Sequence, residues 1–468
     1  MKTIFNKISD KRKSRFLKTL LAVSAFTIFS CDSFLEVELP NSQLTTTAVF
    51  ESYNTADAAM ADVYSKMRDS GLATGTLFGL SMQIGHYSDE LVFYGAATSP
   101  TANFYTNSVL PSNSTLGLFW NNAYNQIYAA NSVYQGVEKS LFTETQKAVL
   151  QGEALFVRAM THFYLLQLFG EIPYIKSTDY KENSTARRMP DKQIYLNIVQ
   201  DLKRAEELLS VSYSSAERTR PNSFAVKALL ARVYLYMGEW ENAQKTALAV
   251  IENRSLYIME NNLGNVFLKN SSETILQFSP SGTGRNTDEG SVFIFTSGPP
   301  PITSLSSSLM QSFSTDDKRR ALWTGSVTNP QGTWYYPFKY KEAKATSPSR
   351  EYSILLRLTE QYLILSEAYA RLGSLDQAKL YLNAIRNRAG LGNSSAGNME
   401  EIIDAVLEER RKEFFTEYGH RFFDLKRTGK LNEVLGAKPG WKSENRLLPI
   451  PESEINLNTN LQPQNPGY

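Results

Sequence analysis

A single cysteine, Cys31, in 468 residues leaves no pair for an intrachain disulfide. Histidine is almost as scarce. His86, His162 and His420 lie far apart in sequence, with no HExxH pair and no Cys/His cluster, so no metal site is expected. The chain has no G-x-S-x-G elbow and no P-loop, and Gly282 to Gly284 is a lone G-x-G without the strand and helix of a dinucleotide fold. The loop carboxylates Asp288, Glu289, Asp316 and Asp317 lack the spacing of a calcium loop and are expected to face water. Nothing in these patterns supports catalysis, and no cofactor is expected.

Strong charge is missing too. The formal net charge is +2, but residues 1–30 contain seven Lys or Arg and one Asp, a surplus of +6, so the remainder carries −4. A chain without a basic stripe is a poor partner for nucleic acid. Beyond residue 30 no run approaches the roughly 18 apolar residues of a membrane span. The chain is 42% apolar overall, and the part beyond residue 30 is long enough to bury a large core.

What is present begins at the N-terminus. Lys2, Lys7, Lys11, Arg12, Lys13, Arg15 and Lys18 precede an apolar run from Leu20 to Phe29, then Ser30 and Cys31. A basic segment, about ten apolar residues and a small residue are the parts of a secretory signal, too short to span a bilayer. Cys31 directly after it resembles a lipobox, whose cysteine becomes the lipid-bearing N-terminus; Ile28 and Ser30 suit that pattern and bulky Phe29 does not. The expected divisions are a signal over 1–30, a tether over 31–45 and one body over 46–468.

The body reads as mainly α. Helical periodicity runs over Thr55 to Arg68, Trp120 to Lys139, Glu144 to Phe169, Ile194 to Leu209 and Ser223 to Asn253. Tyr234, Gly238, Trp240 and Ala243 recur in spacing as Tyr369, Gly373, Leu375 and Ala378. That is the turn of a tetratricopeptide-like helix pair, where Gly allows the bend and Ala the close approach. The two copies imply helix hairpins in a partial solenoid, interrupted by a loop-rich insertion at about 256–350 with a few short strands. Thr274 to Phe278 and Val292 to Phe295 are the strand candidates; Ser279 to Gly284, Gly298 to Pro301 and Asn329 to Gly332 read as turns.

Four blocks carry a more specific signal. The first is Glu153, Ala154, Phe156, Arg158 and Ala159 leading to Phe169, Gly170, Ile172 and Pro173. The second, within Leu356 to Leu391, holds Glu367, Ala368, Tyr369, Asn383, Arg386 and Arg388. The third is Glu409, Arg410, Arg411, Glu413, then Gly419, His420, Arg421, Phe422, Asp424, Leu425 and Arg427. The last runs from Leu448, Pro449, Ile450 and Pro451 to Gln464, Asn465, Pro466, Gly467 and Tyr468. In this order they resemble the SusD/RagB family of nutrient-binding outer-membrane lipoproteins. Structural roles are expected for them: buried polar partners for Arg158 and His162, a solvated helix face for Glu409 to Glu413, and a clamped tail for the terminal prolines.

The resemblance implies a lipid-anchored protein on the outer face of a Bacteroidota-type outer membrane. It would cap a SusC-like TonB-dependent transporter as a lid, capture a nutrient and deliver it, without making or breaking a bond. For the ligand the cue is aromatics in loops. Trp323, Asn329, Gln331, Trp334, Tyr335, Tyr336, Phe338 and Tyr340 crowd the insertion, while Tyr87, Asp89, Glu90, Phe93, Tyr94 and Tyr105 occupy an early stretch read as non-helical. Sugar rings stack their apolar faces on such side chains, and neighbouring amides and carboxylates take the hydroxyls. About half of these aromatics are expected to be core. Tyr87, Asp89, Tyr94, Tyr105, Asn329, Trp334, Tyr335 and Tyr336 are the candidate contacts, for an oligosaccharide or polysaccharide. A peptide ligand is the alternative, because relatives of both kinds share the scaffold. The helix pairs alone suggest a third reading, a protein-docking scaffold without a small ligand.

Overall fold

A long helix whose sides are nearly all apolar must lie inside a bundle, and Glu144–Phe169 does so. Thr143 caps its start in a reciprocal capping box with Gln146, and Gly170 ends it at φ 70°. From Leu150 to Phe169 all residues but Gln151 are buried. The computed structural model describes residues 46–468; the expected signal, Cys31 and tether lie outside the described residues. Of these, 49–468 form one compact unit.

Ten helices build the frame: α1 (Tyr53–Asp69), α2 (Ser114–Glu138), α3 (Glu144–Phe169), α4 (Asp191–Leu208), α5 (Ser223–Met237), α6 (Trp240–Glu252), α7 (Leu358–Arg371), α8 (Leu375–Arg388), α9 (Met399–Phe414) and α10 (His420–Arg427). From α1 to α8 each packs on the next, and α9 closes the row on α7 and α8. The insertion separates α6 from α7 in sequence, yet the two helices touch. The solenoid is therefore continuous in space although it is interrupted in the chain. The fold is mainly α, with 53% of the described residues in helix and 7% in strand.

Both expected interhelical turns form. Gly238 (φ 72°) and Gly373 (φ 80°) take the left-handed conformation that the bend requires, and Ala243 and Ala378 are fully buried where the helices approach. Ser223 to Asn253 accordingly forms two helices joined at Gly238 and Glu239. α2 begins at Ser114, capped by Asn113, six residues before the periodicity becomes visible. Buried charge then ties helices together. Arg232 of α5 makes a bidentate pair with Glu360 of α7 at 2.7 Å and donates to Tyr164 Oη of α3. Arg158 of α3 pairs with Asp201 of α4 and donates to Asn131 of α2, while His162 Nε2 accepts from the Ile175 amide. These are the buried partners expected for Arg158 and His162.

The strands form three antiparallel pairs, four of the six lying in the insertion: β1 (Leu91–Phe93) with β3 (Thr303–Leu305), β2 (Thr274–Phe278) with β6 (Ser353–Arg357), and β4 (Thr324–Asn329) with β5 (Gly332–Pro337). Thr274 to Phe278 is a strand as expected. Val292 to Phe295 is not: Thr287 caps a short helix over Asp288–Phe293. The early stretch also holds two short helices, Leu80–Tyr87 and Pro100–Tyr105. A second hydrophobic cluster, with Phe267, Phe293, Leu309, Trp323, Tyr340 and Phe415 among its members, fills the insertion. Among the described residues no helix is long and apolar enough to cross a membrane.

The Glu409 to Glu413 block departs most from expectation. It is a buried ion network rather than a solvated face. Glu413 accepts from Arg357, Arg388 and Arg319 at 2.5–3.0 Å, Glu409 pairs with Arg319 and Arg386, and Arg388 reaches Glu273. Lys339 donates to Glu417 and to the carbonyls of Glu413 and Phe415. Charges from the insertion (Glu273, Arg319, Lys339) and from β6 (Arg357) meet charges from α8 and the end of α9, so each ion is compensated where water is excluded. Asp317, expected to face water, is buried against Arg319, and Glu289 is buried against Ser353. The tail is clamped as expected: Leu448 N donates to Leu168 O, and Asn465 Nδ2 to Phe169 O and Leu448 O.

Candidate ligand-binding surface

The β4–β5 hairpin turns through Pro330 and Gln331, with Asn329 opposite Gly332 and Asn329 Oδ1 accepting from the Gln331 amide at 2.8 Å. Alternation along β5 sends Trp334 and Tyr336 to one face and Tyr335 to the other. Tyr336 lies across from Gly325, where a Cβ would overlap its ring. It meets Phe295 edge-on at 5.1 Å and Phe338 at 5.7 Å. Trp334 rests on Gly298, again where a Cβ would overlap the indole, and Asn329 Nδ2 donates to Gly298 O at 2.8 Å. Phe295, Trp334, Tyr336 and Phe338 thus form an aromatic ledge. All but Phe295 are half-buried, and Ser326, Thr328, Gln331 and Thr333 along the hairpin are exposed.

The early stretch reaches this ledge through β3. β1 pairs with β3, β3 packs on β5, and the Tyr94 amide donates to Ile302 O at 2.7 Å. Gly298, under Trp334, and Ile302, beside Tyr94, are four residues apart, a span of at most about 14 Å. Tyr94 is 39% exposed. The fold therefore brings Tyr94, Asn329, Trp334 and Tyr336 to one region of surface.

The other candidates serve differently. Tyr87 has no accessible surface; it packs against Phe104 and Phe422 and donates to Asn445 O, so it is core. Asp89 is bound to Arg411 and Arg421 at 2.7–3.0 Å. Burial acts to raise its pKa, yet these guanidiniums hold it below the ordinary value. That leaves it a structural anion rather than a hydroxyl acceptor. Tyr335 packs against the second cluster from its half-buried face. Tyr105, also half-buried, lies edge-on to His86, which Phe93 flanks from another side. His86 Nε2 lies 3.1 Å from Thr303 Oγ1, and burial with Lys438 nearby pushes the imidazole down to about 3, so it is neutral. Trp323 and Tyr340 are core, as part of the set was expected to be. Phe295 and Gly298 were missing from the candidates; the Gly298 to Pro301 turn was the available sign of a segment lying against the hairpin.

Among the described residues no group of three or more His, Cys, Asp or Glu is placed to hold a metal ion. The ledge offers ring faces for stacking and side-chain hydroxyls and amides for hydrogen bonding.

Comparison with known proteins agrees with this architecture. Residues 33–235 match a family model described as SusD-like, starch-binding associating with outer membrane, and residues 312–468 match the SusD family model. SusD-like protein P2 of Formosa agariphila is 28% identical over 76% of this chain and 81% of its own length. A SusD-like protein of Bacteroides ovatus is 26% identical over 88% of this chain and 82% of its own. Among solved structures, a SusD superfamily protein from Bacteroides vulgatus superposes with a TM-score of 0.79 at 22% identity, over 90% of this chain and all of that one. A laminarin-binding SusD-like protein gives 0.77 at 24%, also over 90% and all of it. Surface glycan-binding protein A from Bacteroides thetaiotaomicron, in complex with laminarihexaose, gives 0.74 at 20%, over 88% of this chain and 99% of that one. With one model covering residues 33–235, a second covering residues 312–468 and the fold shared over about 90% of the chain, this chain belongs to the SusD/RagB family.

Proposed function

We propose that this protein is a cell-surface lipoprotein that captures an oligosaccharide or polysaccharide and delivers it to a SusC-like TonB-dependent transporter, which it covers as a lid. Cys31 carries the lipid, residues 31–45 tether the body to the outer membrane, and no bond of the ligand is made or broken. One observation carries the ligand class: Trp334 and Tyr336 present half-buried rings on a rigid hairpin beside exposed Tyr94, under a rim of hydroxyls and amides. Fixed rings stack on sugar faces with little ordering cost, and the hydroxyls and amides beside them can hydrogen-bond the sugar hydroxyls. The glycan-binding fold neighbours support the same class. Deleting the gene while leaving the paired transporter intact tests delivery: glycan uptake must fall, and unchanged uptake removes the role. Saturable peptide binding without glycan binding would replace the ligand class.

A further inference from the structure

The outer face of α2 carries an arrangement that the hairpin surface does not use. Trp120, Tyr124 and Tyr128 follow one another at four-residue spacing, so they line one face of the helix. They border a cleft of about 670 Å³ closed on its other sides by Pro173, Ile175 and the C-terminal tail around Leu461. That volume lies inside the range of about 300–1,000 Å³ typical of small-ligand sites. Trp120 is 4% exposed and leans on Tyr124 at 4.9 Å, and Tyr124 Oη donates to Pro173 O at 2.9 Å, so both rings are fixed as the floor. Tyr128 is 51% exposed and stands as a wall.

The amides beside these rings divide into two sets. Asn122 donates to Ser70 O, Asn131 to Ile175 O, and Asn458 to Ala186 O. Asn121 and Asn125, which line the cleft, have no side-chain hydrogen-bond partner among the described residues. Glu454 is the one carboxylate on the lining and no Lys, Arg or His joins it, so the cleft offers no cation to hold an anionic ligand.

We infer that this cleft is a second carbohydrate site, taking one or two units of a neutral oligosaccharide: the sugar stacks on Tyr128 over the Tyr124 floor, and Asn121, Asn125 and Glu454 take its hydroxyls. It lies on the frame helices, whereas the hairpin belongs to the insertion and its separate core cluster. The inference extends the glycan-binding reading to a second place on the molecule. Two sites on one body hold a long chain by avidity, because the second contact becomes intramolecular.

The test uses full-length protein and calorimetric titration with laminarihexaose, cellohexaose, maltohexaose, xylohexaose and mannohexaose. It compares wild type, W334A/Y336A, N125A/Y128A and the fourfold variant, with thermal melts confirming that each is folded. Binding of at least one sugar must survive in W334A/Y336A and fall about tenfold or more in the fourfold variant, a loss of about 1.4 kcal/mol. Residual binding that N125A/Y128A does not move overturns the cleft. Loss of all binding in W334A/Y336A overturns the cleft and leaves the hairpin reading standing. Loss of all binding in N125A/Y128A alone keeps the cleft and removes the hairpin. Absence of binding to any of these sugars by wild type overturns both. A protein partner released by N125A/Y128A while sugar binding stays intact also overturns it.

Discussion

Arg357, the last residue of β6, donates to Glu413 in the last turn of α9 across 2.7 Å, with 2% and 0% of the two side chains exposed. Glu413 also receives Arg388 and Arg319, and these guanidiniums overcome burial to hold its carboxyl well below the usual range. The pair stands where the insertion meets the solenoid, so it positions the hairpin on the frame.

Glu413→Gln removes the charge that three buried cations share. Breaking a buried network from one side costs about 3–5 kcal/mol, because the cations keep their desolvation without their partner. Urea unfolding must show a loss of that size. A loss under 1 kcal/mol would mean that solvent reaches the network.

Gly373→Ala isolates the cost of the left-handed turn. At φ 80° an added Cβ meets nothing within 4 Å, so the cost is conformational alone, about 1–2 kcal/mol. Equilibrium unfolding checks it, and a neutral substitution would mean that the turn relaxes freely.

Glu90 provides the pH dependence. Burial, with the Asp89 charge beside it, pushes its carboxyl up to about 8 from 4.5, and Oε1 has no hydrogen-bond partner. Folded Glu90 keeps a proton that the unfolded chain releases, so its contribution is fully present below about pH 4.5 and is lost as pH rises through about 8. Glu90→Gln cannot ionise. Between pH 6 and pH 9 the wild-type melting temperature must fall several degrees further than that of E90Q. Parallel slopes would contradict a buried proton on Glu90.

How far the sequence anticipated this molecule depends on the range of the forces involved. α3 was legible to the residue because its periodicity, Thr143 and Gly170 are local signals, and the Tyr-Gly-Ala spacing located both hairpin turns. The β4–β5 hairpin was not, since Gly325 and Asn329 have weak strand preference and the strand is held by Trp334 and Tyr336 packing across it. Glu409 to Glu413 looked like a solvated helix face because Arg357, Arg319 and Arg388 lie 25 to 94 residues away, beyond any periodic pattern. At the surface, the loop aromatics did not separate Tyr94, which is exposed, from Tyr87, which Phe104 and Phe422 enclose.

The anchor rests on residues outside the described structure. Cys31→Ala must release the protein from the membrane fraction, and mass spectrometry of the wild type must find lipid on Cys31 as the mature N-terminus. An unmodified N-terminus removes the tether.

The most direct test of glycan capture on the hairpin is a calorimetric titration of wild type and W334A/Y336A with laminarihexaose and the other neutral hexasaccharides. Saturable binding weakened at least about tenfold by the double substitution, with the melting temperature unchanged, is the expected result. Equal affinity in the two proteins would contradict the account.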